Sequence, residues 1–272
     1  FCGPRGIGKT SAARIMAKAV NCLKPKDGNP CNKCSVCVSI NEQTALDIIE
    51  IDAASNRGID EIRDLREKVK FTPSELRYKV FIIDEVHMLT KEAFNALLKT
   101  LEEPPEHALF VMATTEIHKI PATVISRCQR FDFKRISELK LKKRIDKIAK
   151  EEGIKINKEA VSVIAKASEG GLRDAISFLD QISMNAGNKE ITEKEIAELL
   201  GMVDTTKIEK LMKMIENREK KNALEFLEEL LEAGADIGQL TKGLMSGFRE
   251  KIQGGLGDDS LTKKYIYTVE TL

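Results

Sequence analysis

Apolar and polar residues follow two different patterns along the chain, and the change falls near residue 137. Before it, short apolar runs that end in polar residues predict strands, and amphipathic stretches between them predict helices. The predicted strands cover 46–51, 80–85, 108–113 and 130–133. The predicted helices cover 10–20, 59–69 and a stretch from Thr90 to the Pro104-Pro105 pair. This alternation is typical of an α/β domain with a parallel sheet and flanking helices.

Beyond residue 137 only helical periodicity remains. The predicted helices cover 139–150, 158–168, 172–186, 193–200, 207–216, 221–233 and 237–252. The glycines within 254–257 break the last of them. We therefore predict an α/β domain over 1–136, a small helical domain over 137–200 and a further helical domain over 201–272.

The segment GPRGIGKT, residues 3–10, matches the phosphate-binding loop pattern G-x-x-x-x-G-K-[ST] at every required position. Such a loop points backbone N–H groups at phosphate oxygens, and the positive end of the following helix favours the same negative charge. We expect Lys9 to reach the β- and γ-phosphates of a nucleotide and the Thr10 hydroxyl to ligate Mg²⁺. The alternative is a glycine-rich turn that matches by chance. The residues predicted to hold the nucleotide here are Gly3, Pro4, Arg5, Gly6, Ile7, Gly8, Lys9, Thr10 and Ser11.

Two carboxylates, Asp84 and Glu85, end the apolar strand that begins at Val80. Ligands bind at the carboxyl ends of strands in an open α/β sheet. Asp84 is therefore expected to hold Mg²⁺ through water, and Glu85 to polarise the water that attacks the γ-phosphate. Acidic residues at a solvated strand end are the alternative, and the upstream phosphate loop favours the functional interpretation.

Thr114 and Thr115 follow the strand predicted over 108–113 and reach the same edge of the sheet. A hydroxyl there could bind the γ-phosphate or the attacking water, and simple termination of the strand is an equal alternative.

Arg173 lies in the first turn of a predicted helix, where its charge opposes the helix dipole, which indicates that something negative faces it.

Arg57 and Arg63 lie near the start of the helix predicted over 59–69. On sequence alone we favour solvated surface arginines. A helix amino terminus with nearby arginines can also hold a nucleic-acid phosphate.

Four cysteines form a C-x8-C-x2-C-x2-C cluster within 22–37, in a stretch rich in lysine, proline, asparagine and glycine. Four thiolates at this spacing suit tetrahedral Zn²⁺, and a site with four sulfur ligands leaves no open position for chemistry. We predict a structural zinc knuckle; the alternatives are disulfides or unligated thiols. The predicted ligands are Cys22, Cys31, Cys34 and Cys37. Cys2 and Cys128 are isolated and are predicted to be small core or loop residues.

The 272 residues include 44 Lys and Arg against 43 Asp and Glu, so net charge gives no sign of a nucleic-acid partner. No apolar run approaches the roughly 20 residues needed to span a bilayer, and we expect a cytoplasmic protein with no membrane association. Only two residues precede the phosphate loop. We expect most of the first strand, and the segment that encloses the nucleotide base, to lie outside this sequence.

Five stretches in this order, GPRGIGKT, the cysteine cluster, VFIIDEVHML, ATTEIHKIPATVISRC and GGLRDAISFLDQ, resemble the gamma/tau subunit family of bacterial DNA polymerase III, the ATPases of the replicative clamp loader. The resemblance covers nearly the whole chain. It implies an AAA+ module made of a RecA-like domain over 1–136 and a helical lid over 137–200, followed by part of a helical collar domain. The implied cofactors and ligands are ATP, Mg²⁺ and Zn²⁺.

The resemblance also implies roles for single residues. Lys9 and Thr10 correspond to the Walker A pair, and Asp84 and Glu85 to the Walker B acids. Thr114 or Thr115 corresponds to the first sensor.

By the same resemblance, Arg127 in the Ser-Arg-Cys triplet corresponds to an arginine finger that acts in a neighbouring subunit, and Arg173 to the second sensor. The implied partners are the delta and delta-prime subunits, further copies of this chain, the sliding clamp and primed-template DNA.

Two other interpretations remain open. The first is a nucleotide-binding but catalytically silent structural subunit; the intact Lys9-Thr10 pair speaks against it, because delta-prime subunits have a degenerate loop. The second is a helicase of the D-E-x-H type, which residues 84–87 match. Such a helicase needs a later Q-x-x-G-R-x-G-R motif, and the sequence contains none.

Overall fold

The computed structural model describes residues 1–187, 189–200 and 205–254. The chain divides into two compact units. The first comprises residues 1–141 together with 168–177, and the second comprises 142–167 together with the residues from 178 onward.

A three-stranded parallel sheet forms the centre of the first unit. It consists of β1 (Ile48–Asp52), β2 (Lys79–Asp84) and β3 (Ala108–Met112), in the order β1-β2-β3. The register pairs Asp52 with Asp84, so the acidic end of β2 lies at the carboxyl edge of the sheet. The predicted strand over 130–133 is wrong as a strand, because only an isolated bridge between Cys2 and Asp132 forms there.

β2 packs against a hydrophobic core on each of its two faces. Phe81 and Ile83 belong to a core shared with the buried stripes of the helices on one face. Val80 and Ile82 pack with Ala13 and other small or apolar residues on the opposite face. All four strand residues are fully buried, as expected for a central strand in an α/β sheet. The predicted α/β fold class is confirmed.

Five of the described helices lie wholly within the first unit and flank the sheet or lie in its connections. They are α1 (Lys9–Asn21), α2 (Ser35–Asn41), α3 (Ile59–Lys70), α4 (Lys91–Glu102) and α5 (Ala122–Ile125). Single 3₁₀ turns cover Val86–Met88 and Ile117–Lys119. Thr90 caps α4 as predicted, since its side chain accepts a hydrogen bond from the Ala93 N–H. The sequence pattern did not predict α2 and α5: α5 has only four residues, and α2 carries β-branched residues at the alternate positions 36, 38 and 40, so neither shows a helical period.

Two buried polar side chains hold the strand starts in place. Asp47 is 1% exposed, and its carboxylate accepts hydrogen bonds from the backbone N–H groups of Ser74, Glu75 and Leu76 at 2.8–3.0 Å. Burial by itself raises the pKa of Asp47, but these backbone hydrogen bonds and the nearby Lys79 hold it below its ordinary value. Asn21 joins the end of α1 to both backbone polar groups of Tyr78, just before β2. These contacts fix where the strands that carry the site begin.

Helices make up the rest of the described chain. They are α6 (Glu138–Glu151), α7 (Lys158–Ala167), α8 (Leu172–Ala186), α9 (Glu193–Leu199), α10 (Thr205–Glu216), α11 (Lys220–Glu232) and α12 (Ile237–Gly254). All seven were predicted from periodicity, with ends that differ by a few residues at most. The helices α10, α11 and α12 share a core that includes Leu211, Leu230 and Phe248. The predicted break began at Gly254, which instead belongs to α12; residues 255–257 lie outside the described residues.

Candidate active site

The loop between Cys2 and α1 has the backbone shape that its glycines allow. Gly8 precedes α1 with a φ of 96°, in the left-handed region that side chains rarely adopt, and a Cβ there would meet no atom within 4 Å. Gly3 has a φ of 147°, and a Cβ there would lie 2.3 Å from the Phe133 carbonyl oxygen. The loop therefore needs glycine for conformation at Gly8 and also for space at Gly3.

Lys9 turns its amine toward the inside of this loop. Its Nζ donates hydrogen bonds to the carbonyl oxygens of Gly3 at 2.9 Å and Pro4 at 2.8 Å, and the residue is only 6% exposed. Burial lowers the pKa of Lys9, and the carboxylates of Glu85 and Asp84 oppose that effect. Lys9 lies 75 positions before Asp84 in the sequence, and the fold brings their charges into one site.

Thr10 and Asp84 provide adjoining oxygen atoms between α1 and the end of β2. The Thr10 hydroxyl donates to Asp84 Oδ2 at 2.5 Å, and the other carboxylate oxygen accepts the Glu85 N–H at 2.9 Å. Hydroxyl and carboxylate oxygens are the hard ligands that Mg²⁺ prefers. This pair therefore fits the predicted Mg²⁺ ligands.

Glu85 follows β2 in a left-handed backbone conformation, with φ 46° and ψ 43°, which is uncommon for a residue other than glycine. Its Oε2 accepts hydrogen bonds from the Thr115 hydroxyl at 2.9 Å and from the Thr115 N–H at 3.3 Å. Thr114 is buried and instead contacts His87, whose Nδ1 lies 3.0 Å from the Thr114 hydroxyl oxygen. The two threonines therefore have different neighbours, and Thr115 is the one that contacts Glu85.

His87 is a site residue that sequence reasoning noted only within the D-E-x-H match. Its side chain is 6% exposed, with Nδ1 3.3 Å from Glu85 Oε2 and Nε2 3.1 Å from Glu116 Oε2. The sequence gives only a weak indication that His87 belongs to the site, because a single histidine near two acidic residues does not by itself predict a function.

Arg173 lies beside the phosphate loop within the first unit. Its backbone N–H donates to the Gly6 carbonyl oxygen at 3.1 Å, so the first turn of α8 contacts the loop directly. Its side chain is exposed, and its guanidinium makes no hydrogen bond within the part of the chain that the structure describes. The side chains of Arg5 and Ser11 are also exposed, while Pro4 and Ile7 are half-buried.

Arg127 is held by α4 and α5 rather than by the phosphate loop. Its guanidinium donates to the Thr123 carbonyl oxygen at 2.5 Å and to the Ser126 hydroxyl at 3.4 Å, and it forms an ion pair with Glu102 at the end of α4. All hydrogen bonds of this guanidinium among the described residues are to these three partners. The structure does not bring Arg127 to the loop of its own chain.

The two arginines near the start of α3 have local partners. Arg63 pairs with Asp60 at 3.0 Å, and Arg57 Nε donates to the Ala54 carbonyl oxygen at 2.8 Å. Both side chains lie on the surface, as favoured from the sequence.

The four clustered cysteines form a compact group of sulfur atoms between α1 and α2. All four Sγ atoms lie within 4.8 Å of one another. Tetrahedral Zn–S bonds of about 2.3 Å require S···S separations of about 3.8 Å. Backbone N–H groups of Cys31, Cys34 and Cys37 donate to the sulfurs of Cys22, Cys31 and Cys34 at 3.3–3.5 Å. The cluster is compatible with zinc.

These hydrogen bonds favour thiolate sulfur in part of the cluster. The N–H of Cys37 and that of Leu23 lower the pKa of Cys34 to about 6, whereas burial raises the pKa of Cys37 to about 12. A bound metal ion favours the deprotonated form of every ligand. None of the four takes part in a disulfide; Cys2 is buried and Cys128 half-buried, as predicted.

Family models match the chain in three successive stretches. Residues 1–137 match "DNA polymerase III, delta subunit", residues 140–187 match "DNA polymerase III clamp loader subunit, ATPase lid domain", and residues 191–260 match "DNA polymerase III subunits gamma and tau domain III".

Three bacterial relatives show the extent of the similarity. The chain is 53% identical over 253 residues to DNA polymerase III subunit tau of Bacillus subtilis, covering 93% of this chain and 45% of that protein. It is 44% identical to subunit gamma/tau of Mycoplasma genitalium, covering 87% and 40% of the two proteins, and 43% identical to subunit tau of Escherichia coli, covering 75% and 32%. The chain therefore spans less than half the length of each of these relatives.

A solved structure supports the fold independently. The Thermotoga maritima RuvB Holliday junction branch migration motor superimposes with a TM-score of 0.54 at 20% identity, over 80% of this chain and 68% of that one. This similarity shows the AAA+ fold alone. No helix among the described residues is long and apolar enough to cross a membrane. The three family models and the 53% identity to the Bacillus subtilis subunit, together with the phosphate loop and the acids at the end of β2, show that the chain belongs to the gamma/tau subunit family of DNA polymerase III.

Proposed function

We propose that this protein is an ATPase motor subunit of a bacterial clamp loader, which uses ATP binding and hydrolysis to load the sliding clamp onto primed DNA. One observation carries the proposal: the Thr10 hydroxyl meets the Asp84 carboxylate at 2.5 Å, with Glu85 next to it and the Lys9 amine inside the loop. A loop, a metal-ligand pair and an adjacent carboxylate are the parts that nucleotide hydrolysis requires.

Residues 3–11 hold the phosphates in this proposal, with Lys9 as the positive charge on the β- and γ-phosphates. Thr10 and Asp84 hold Mg²⁺, which supplies charge neutralisation on the phosphate oxygens when it is bound. Arg173, whose backbone contacts the loop at Gly6, adds a second positive group at the same site.

Glu85 polarises the attacking water in the proposed reaction, because it is the carboxylate next to the metal-ligand pair. Thr115 is the first sensor in this assignment, since its hydroxyl binds the Glu85 carboxylate. Thr114 acts indirectly, through its contact with His87.

The proposed domain division is a nucleotide-binding domain over 1–136, a lid over 137–200 and part of a collar over 201–272. The first family model ends at residue 137, next to the proposed limit at 136, whereas the third begins at residue 191, about ten residues before the proposed limit at 200. We propose the delta and delta-prime subunits, further copies of this chain, the sliding clamp and primed-template DNA as its partners, in the cytoplasm.

The second candidate function is a subunit that binds nucleotide without hydrolysing it. ATP turnover separates the two candidates. We expect the complete subunit to hydrolyse ATP slowly alone and much faster when partner subunits, sliding clamp and primed DNA are added, because the arginine finger comes from a neighbour. Tight ATP binding with no turnover in the assembled complex would support the silent subunit instead.

We also propose that Cys22, Cys31, Cys34 and Cys37 hold one structural Zn²⁺. Freshly purified protein should contain one zinc per chain, and strong chelation should lower its melting temperature while unfolding the segment between α1 and α2. Elemental analysis and thermal melts measure these effects. Cys128→Ser is the matched control and should retain zinc. Metal-free protein with four freely titratable thiols would contradict the assignment.

A further inference from the structure

His87 lies between two carboxylates at the edge of the sheet and is almost completely buried. Its Nε2 lies 3.1 Å from Glu116 Oε2, and its Nδ1 lies 3.0 Å from the Thr114 hydroxyl oxygen and 3.3 Å from Glu85 Oε2. A buried ring with partners on both nitrogens has a fixed orientation. Above, His87 enters only as the contact of Thr114 and has no role toward Glu85.

The partners of His87 assign the proton positions on its ring. The Glu116 carboxylate only accepts hydrogen bonds, so Nε2 carries a proton. The Thr114 hydroxyl oxygen already accepts the Glu116 N–H at 3.0 Å. Glu85 Oε2 also only accepts hydrogen bonds, so a hydrogen bond from Nδ1 to it requires a second proton, and the ring that joins the two carboxylates is then the doubly protonated imidazolium.

The contacts of Glu85 are confined to one of its two carboxylate oxygens. Oε2 accepts both hydrogen bonds from Thr115 and faces His87, whereas Oε1 has no hydrogen bond among the residues that the structure describes. One oxygen is held in place, and the other is available to a water molecule.

We propose that His87 is a positioning residue for Glu85. Anchored by Glu116, its ring fixes the Glu85 carboxylate through Oε2 and keeps Oε1 in the direction of the attacking water. This inference rests on the proposed ATPase function and adds a residue to that site. General-base catalysis depends on geometry, and a displacement of about 1 Å can reduce a rate by about 100-fold.

The test substitutes His87, in the assembled complex, by residues that can each take the place of one ring nitrogen. His87→Ala should lower kcat for ATP by about tenfold or more and leave KM within about twofold, because Glu85 is displaced while the phosphate loop is intact. His87→Asn can place an amide donor near the position of Nδ1 and should retain most of kcat. His87→Gln can place it near the position of Nε2, toward Glu116, and should resemble the alanine variant. His118→Ala is the control, since His118 is exposed and lies 3.8 Å from Glu116.

Three results would overturn the inference: kcat of His87→Ala within twofold of the parent, His87→Asn no better than His87→Ala, or parallel losses of kcat, ATP affinity and melting temperature in all three variants. The last result would assign a structural role. If His87→Ala does not fold, the comparison of the asparagine and glutamine variants decides the question. Glu85→Gln in the same assay keeps this test separate from the proposed function: parental turnover in that variant would refute the role of Glu85 itself.

Discussion

Replacing Arg127 by alanine should slow ATP hydrolysis about 10³-fold at the site of the neighbouring subunit, while ATP binding in the variant's own loop stays nearly unchanged. In the structure this guanidinium is bound to Thr123, Ser126 and Glu102, and not to its own phosphate loop. The Arg127 side chain is about one-third exposed to solvent. A guanidinium that reaches a γ-phosphate only across a subunit interface makes hydrolysis depend on correct assembly.

The decisive measurement uses mixed complexes in which one subunit carries Arg127→Ala and another carries Lys9→Ala. They are arranged so that the only intact loop either faces or does not face an intact Arg127. Turnover should differ about 10³-fold between the two arrangements. Arg130→Ala is the matched control, because Arg130 is a nearby exposed arginine paired with Asp132. Equal turnover in both arrangements would make Arg127 an ordinary surface arginine.

Glu85→Gln should leave ATP binding intact and reduce hydrolysis by at least about 100-fold, because glutamine keeps the size of the side chain and loses the charge that polarises water. Lys9→Ala should instead abolish nucleotide binding, since the loop loses its buried positive charge. Direct binding of a fluorescent ATP analogue and steady-state turnover in the assembled complex separate the two effects.

Glu116→Gln separates an indirect effect on Glu85 from the direct one, because Glu116 anchors the proposed positioning residue His87. Glu116 is also acidic and contacts His87, but it has no hydrogen bond to Glu85 or Thr115 among the described residues. Its substitution should cost less activity than Glu85→Gln. Parental turnover by Glu85→Gln would show that another group activates the water.

The fold class and most of the elements follow from local patterns in the sequence. Residues 80–83 of β2 form a continuous apolar run, which is typical of a strand buried on both faces. The helices after residue 137 show a 3.6-residue period, which local sequence is sufficient to reveal. The phosphate loop was recognisable for a similar reason, because glycines, lysine and threonine at fixed spacing meet requirements confined to eight consecutive residues.

Which distant side chains meet depends on the path of the folded chain. Thr10 contacts Asp84 across 74 positions, and Thr115 rather than Thr114 binds Glu85 across 30. Adjacent threonines at a strand end have the same composition signal, and only the path of the chain after β3 determines which hydroxyl points at which carboxylate. The sequence likewise gave no reason to join His87 to Glu116.

The predicted strand over 130–133 was wrong because a strand needs a partner, and pairing with residues far along the chain is not visible in the local sequence. Near residue 132 that pairing reduces to one bridge with Cys2. Motifs and elements that depend on neighbouring residues can therefore be predicted from the sequence. Side-chain and strand partners that are far apart along the chain are known only from the folded structure.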